Sequence, residues 1–205
     1  MAYRRLSQPL SNPRAVRLTN HAFLDAMIIV GFIAAILGTN HALSGVPNIK
    51  LFDLFVFVAA YSLGMKRGAI IAVGAWIIYG SFNPYGATTP ALLISVTTAE
   101  LVYVVAGALV RRILPPNQVS VTSTKTLIAL LICAVLATFL YDVSTNIYTG
   151  WAWSQVSASS DYGRWIRLAL FNPGAVAFSV LHITTNAIFF VTLAPLLIKG
   201  VQRLR

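Results

Sequence analysis

The segment PNIKLFDLFVFVAAYSLGMKRGAIIAVGAWIIYGS, residues 47–81, decides how many times this chain turns. It holds two apolar runs, Pro47 to Gly64 and Gly68 to Ser81, divided only by Met65, Lys66 and Arg67. Read as one long helix, it would scatter the basic residues of the chain over both sides of a membrane. Read as a hairpin closed at Gly64-Met65-Lys66-Arg67-Gly68, it gathers nearly all of them on one.

Working outward, composition sets the class. With 58% hydrophobic residues, 10% charged residues and a mean hydropathy of +0.77, the 205 residues carry too little polar surface to cover a soluble globule. The expectation is an all-α, polytopic membrane protein. A net charge of +10 in a soluble domain would point to nucleic acid. Here the Lys and Arg flank apolar runs, so the lipid bilayer with its anionic headgroups is the partner and nucleic acid is not. Cys133 is alone in an apolar run, which excludes an intramolecular disulfide and a thiolate metal site.

A helix needs about 20 residues to cross the hydrocarbon core. Six runs approach that length: 22–38, 47–64, 68–81, 90–113, 125–146 and 174–199. Pro47, Pro90 and Pro173 stand at or just before helix starts, where a missing N–H costs little, and Pro115-Pro116 ends the fourth run. Residues 21–205 therefore read as a single six-helix transmembrane bundle. Residues 1–20, with Pro9, Pro13 and four arginines, read as a cytoplasmic tail and not a cleavable signal peptide. Alternate sides of the six spans receive twelve and three basic residues, the minority being Lys50, Arg164 and Arg167, which puts both termini in the cytoplasm of a cell whose plasma membrane the chain crosses.

With direction fixed, the polar residues gather in the outer half. Asp142 and Asn146 share a helical face near the outer end of the fifth helix, and His182 and Asn186 make a second pair four apart in the sixth. Glu100 lies roughly 15 Å down the fourth helix, near the midplane. It either marks a ligand pathway or fixes packing, with Thr97 and Tyr103 on a nearby face. Asp53 stands near the outer end of the second helix, where the helix dipole alone would favour it. Above these lie Asn83, Pro84 and Tyr85 in one outer loop and Tyr148, Trp151, Trp153, Tyr162 and Trp165 in another. The expected site is a polar pocket opening outward under an aromatic lid, built from Asn83, Tyr85, Glu100, Tyr103, Asp142, Asn146, Trp151, His182 and Asn186. Asp25, at the inner end of the first helix, is expected to pair with Arg17 or a neighbouring loop.

The first helix repeats Ala22, Ala26, Val30 and Ala34 every four residues, with Gly31 and Ala35 beside them, a surface on which another helix can approach closely. Enzyme motifs are missing: there is no His-Glu-x-x-His, no Gly-x-Ser-x-Gly and no Gly-x-x-x-x-Gly-Lys-Ser/Thr. The chain is expected to be no enzyme and to need no cofactor or metal.

The arrangement resembles a family, the substrate-binding S components of energy-coupling factor (ECF) vitamin transporters. The resemblance rests on the six-span layout, the hairpin Leu63 to Ala69, the turn Asn83-Pro84-Tyr85-Gly86 and Ala99-Glu100-Leu101-Val102-Tyr103. To these it adds Tyr141-Asp142-Val143-Ser144-Thr145-Asn146 and the last helix with Asn186 and Pro195. It implies a subunit that captures a vitamin or related micronutrient on the outer side and docks on a transmembrane scaffold (T) subunit bound to two ATPases. In that family an Ala-x-x-x-Ala motif of the first helix contacts the scaffold. Ala22 with Ala26 matches it, and Gly31, Ala34 and Ala35 offer a second contact. Four acids in or near the apolar runs favour a cationic, amine-bearing or hydroxyl-rich ligand. Glu100→Gln and Asp142→Asn are each expected to weaken binding about tenfold, the worth of one charged hydrogen bond. The alternatives are a self-sufficient proton-coupled carrier, with Glu100 and His182 titrating, and a non-transporting membrane scaffold of similar fold.

Overall fold

The computed structural model describes residues 13–46 and 48–204, with side chains from residue 23 onward. Most of the expected tail, the Pro47 helix start and the side chain of Ala22 thus lie outside the described residues. The described residues form helices joined by short loops, with no strand among them. In chain order these are α1 (Pro13–Ala42), α2 (Phe52–Leu63), α3 (Met65–Ser81), α4 (Pro90–Ile113), α5 (Thr124–Val156), α6 (Tyr162–Phe171), α7 (Pro173–Thr192) and α8 (Ala194–Arg203), with a 3₁₀ turn at Pro116–Gln118. Four stretches are long and apolar enough to cross a membrane: Phe23–Ala42 of α1, and α4, α5 and α7. This is the architecture of a multi-pass membrane protein. At 12 residues α2 is about 18 Å long, well short of a bilayer core of about 30 Å.

The short helix is the centre of the molecule. Eleven of its twelve residues are buried, as befits a helix that is apolar nearly all round, and α1, α3, α4, α7 and α8 all pack on it. Gly64, at φ 93°, adopts a backbone that other residues resist and folds α3 back on α2. The fold-back is close: a Cβ on Gly68 would stand 2.6 Å from the Ala60 Cβ. On the other flank Gly107 of α4 lies so near α2 that a Cβ there would meet the Phe57 carbonyl oxygen at 2.6 Å. Beside the apolar core, polar groups lie inside and many large apolar side chains lie outside. Asp53, Glu100, Asp142, His182 and Asn186 are inside, whereas Ile94, Leu109, Ile132, Phe139, Val180 and Ile188 are exposed. Such a surface suits hydrocarbon as solvent.

Several boundaries differ from the sequence reading. Residues 13–20, expected as tail, continue α1. The second helix begins at Phe52 instead of Pro47, because Asn48 takes a left-handed backbone (φ 56°) and keeps the chain in a loop up to Leu51. The fifth helix does not stop at Asn146 but runs to Val156. Within its polar stretch Ser144, Thr145 and Thr149 return their hydroxyls to the carbonyls four residues back, at 2.7–3.0 Å, which satisfies them without an outside partner. Residues 148–173 are mostly helical too. Asp161, the fifth acid, caps α6 by accepting from the Arg164 N–H, and Gly150 lets α6 lie on α5 with Ile166 against it. The expected sixth helix is broken at Leu193, since Pro195 has no N–H to offer Val191.

Candidate functional site

The first turn of α2, the middle of α7 and the second half of α5 meet at one end of the bundle, and the charged residues meet with them. His182 Nδ1 lies 2.8 Å from Asp142 Oδ1, and His182 Nε2 lies 2.8 Å from Asp53 Oδ2. Two hydrogen bonds require two protons among the imidazole and the two carboxyls. The carboxylates contribute −2, a neutral imidazole brings one of those protons, and the second adds +1. With those two protons and no third, the trio carries a net −1. Asn186, one turn below His182, has Nδ2 within reach of Asp53 Oδ2 (2.6 Å), Thr138 Oγ1 (3.0 Å) and Tyr103 Oη (3.1 Å), and its two hydrogens serve two of these three acceptors at a time. The Tyr103 hydroxyl donates to Thr138 Oγ1 at 2.9 Å, closing a buried polar layer across α2, α4, α5 and α7.

Above this layer lies a cavity of about 350 Å³, within the range of small-ligand sites. Its floor is Asp53, Asp142 and His182. Phe52, Trp76, Tyr79, Tyr85, Tyr141 and Phe178 supply an aromatic wall, and Asn40, Asn48, Lys50, Val96, Thr145, Asn146 and Thr149 complete it. Phe52 and Trp76 face each other with ring centroids 4.8 Å apart. The Trp76 indole N–H donates to Glu100 Oε2 at 3.2 Å, so Glu100 holds this ring from behind. The loop between α1 and α2 roofs the cavity. The Tyr85 hydroxyl donates to the Ser44 carbonyl on one side, and Asn48 Nδ2 donates to the Phe178 carbonyl at 2.8 Å on the other. Lys50 Nζ donates to the Leu43 carbonyl at 2.9 Å, and partial burial lowers the Lys50 ammonium from its ordinary range.

The structure sorts the expected site residues into three groups. Tyr85, Asp142, Asn146 and His182 line the cavity. Tyr103 and Asn186 lie beneath it in the polar layer, and Glu100 stands behind Trp76, so none of these three reaches the space. Asn83 and Trp151 do not face the cavity at all. The Asn83 side chain is consumed in its own turn, donating to the Tyr79 and Gly86 carbonyls and accepting from the Tyr85 N–H. Trp151 is 44% exposed and stacks on Tyr148, because the continued helix turns it away. Sequence reasoning missed Trp76 and Tyr79, and it left Asp53 between the helix dipole and the outward-facing site. The stripe Tyr141, Asp142, Thr145, Asn146 and Thr149, at helical spacing, carried a signal that ended too early when the helix was stopped at residue 146.

The other end of the bundle carries Asp25, paired with Arg67 of the hairpin, and Arg111, whose Nη1 donates to the Tyr61 and Ser62 carbonyls at 2.8 and 3.0 Å. On α1, Ala26, Gly31 and Ala34 are exposed and Ala35 half-buried, and Gly31 has open space where a Cβ would stand. Among the described residues no group of three or more His, Cys, Asp or Glu is placed to hold a metal ion, and His182 is committed on both nitrogens. No family model, curated protein or solved structure matches the chain.

Proposed function

We propose that this chain is the membrane-embedded substrate-binding subunit of an ECF-type ABC importer. It captures a vitamin or related micronutrient from outside the plasma membrane and delivers it with a transmembrane scaffold subunit and two ATPases. The observation that carries the reading is the aromatic-walled cavity of about 350 Å³ over Asp53, His182 and Asp142. It sits at one end of the bundle, while Lys66, Arg67 and Arg111 sit at the other. Taking α1, α2, α3, α4, α5 and the α7–α8 pair as six alternating segments puts the cavity outside and both termini in the cytoplasm, by the excess of Lys and Arg. The short α2 would then cross where the bundle surrounds it, and α3 along its flank. The exposed small residues of α1 suit a helix-to-helix contact with the scaffold.

A second reading, a self-sufficient proton-coupled carrier, draws on the His182 bridge between two buried carboxylates. A purely structural scaffold has no use for the cavity. Reconstitution separates the first two. The chain in ATPase-free liposomes should bind the small molecule that copurifies with it, identified by mass spectrometry, without concentrating it. Accumulation driven by a pH gradient alone would replace the importer subunit with the carrier.

A further inference from the structure

The walls of the cavity contain polar atoms that nothing among the described residues satisfies, and they are all of one kind. Asn40 is 2% exposed and Asp142 is 5% exposed, both line the cavity, and Asn40 Oδ1 and Asp142 Oδ2 have no hydrogen-bond partner among the described residues. Both atoms are acceptors. A buried acceptor without a donor is costly, so a built site that leaves two of them awaits donors from elsewhere. The charge agrees, because the Asp53, His182 and Asp142 trio holds a net −1 beside Asp142 Oδ2. Phe52, Trp76, Tyr79 and Tyr141 add ring faces, which attract cations electrostatically and stack on flat groups. Lys50, the cation on the wall, comes from the loop that roofs the cavity. It disfavours a positive group at the mouth and so directs that group inward to the acids.

Building on the reading of this chain as a binding subunit, we propose that its substrate is a flat aromatic monocation with N–H donors, of the amidinium or amino-heterocycle class. The donors meet Asp142 Oδ2 and Asn40 Oδ1. Its ring lies against Trp76, and any accepting or anionic tail points outward to Lys50. An ordered water would satisfy the same two acceptors without any selectivity for charge.

Three isosteric probes of different charge test this: benzamidinium, benzamide and benzoate, titrated calorimetrically against the full chain in nanodiscs at pH 7. Benzamidinium should bind at least tenfold more tightly than benzoate, with benzamide between them. Asp142→Asn should abolish the preference, and Asn40→Asp should widen it at least threefold. Should Asp142→Asn fail to fold, Asn40→Asp still decides. Equal affinities, a reversed order or no binding of any probe would overturn the cationic class, water being then the partner of the orphan acceptors. Native mass spectrometry of the same preparation tests the underlying reading separately. A neutral or anionic molecule held one to one would leave the binding subunit standing with the wrong substrate class, whereas an empty chain that also ignores all three probes would remove both.

Discussion

His182 Nε2 lies 2.8 Å from Asp53 Oδ2, tying the middle of α7 to the first turn of the central helix α2. The ring's other nitrogen reaches Asp142 at the same distance, so one side chain joins three helices at the floor of the cavity. Replacing His182 with Leu leaves two carboxylates buried near each other with their shared partner gone. Breaking a buried ionic contact by deleting one partner costs about 3–5 kcal/mol. Thermal unfolding in detergent should show His182→Leu as a severely destabilised variant. His182→Leu combined with Asp53→Asn and Asp142→Asn should recover much of the loss, since no charge is then left stranded.

Glu100 makes its hydrogen bond to the cavity wall through Trp76. Glu100→Gln keeps an oxygen that accepts from the indole N–H, so the ring stays in place. Ligand affinity should fall by less than about threefold, against about tenfold for Asp142→Asn, whose carboxylate lines the cavity. The tenfold loss expected for both from the sequence alone is thus kept for one and withdrawn for the other. Glu100→Leu strands the N–H and should shift Trp76 fluorescence while lowering affinity further. Equal losses for Glu100→Gln and Asp142→Asn would mean that Glu100 reaches the ligand after all.

The pairs at helical spacing were readable because the α-helix period fixes which residues share a face. Asp142 with Asn146 both reach the cavity, and His182 with Asn186 both join the polar floor. The hairpin at Gly64 was readable for a similar reason, since charge and glycine coincide there. What the sequence did not disclose depends on other helices. Asp53 becomes a site residue only because α7 brings His182 across to it, 129 residues away in the chain. Glu100 loses its place at the wall because Trp76 of α3 stands in front. Trp151 does not line the cavity because α5 continues to Val156, and that sets the direction every side chain beyond Asn146 faces.

The two glycines Gly107 and Gly31 should respond in opposite ways to the same change. At Gly107 an added methyl meets the α2 backbone at 2.6 and 2.9 Å, and neither backbone can yield cheaply. Gly107→Ala should cost about 1–3 kcal/mol, the usual range for overpacking. Gly31 has open space and an ordinary helical backbone, so Gly31→Ala should be neutral or stabilise by up to about 1 kcal/mol. Unfolding midpoints of the two variants in one detergent check this directly.

Bulk on the exposed face of α1 should separate binding from transport. Ala34 is exposed and a Cβ on Gly31 meets nothing within 4 Å among the described residues, so with Gly31→Leu or Ala34→Leu ligand affinity should remain within about twofold, the change expected of a surface substitution. Uptake in cells that hold the complete importer should fall severalfold if a partner helix lies against this face. Normal uptake by both variants would assign the stripe to lipid.

Tyr85 holds the roof of the cavity by donating its hydroxyl to the Ser44 carbonyl, linking the turn between α3 and α4 to the loop between α1 and α2. Tyr85→Phe keeps the ring in the aromatic wall and removes only that bond. A hydrogen bond of this kind contributes about 0.5–1.5 kcal/mol, equivalent to about two- to tenfold in a rate or equilibrium constant. The loss should fall on ligand release, because the latch closes over a ligand already bound and has little to do with its approach. Stopped-flow measurement with a fluorescent ligand should show a faster dissociation rate at an unchanged association rate. Equal acceleration of both rates would mean that the bond gates entry and exit alike, and no change in either would leave the roof to Asn48 and its bond to the Phe178 carbonyl.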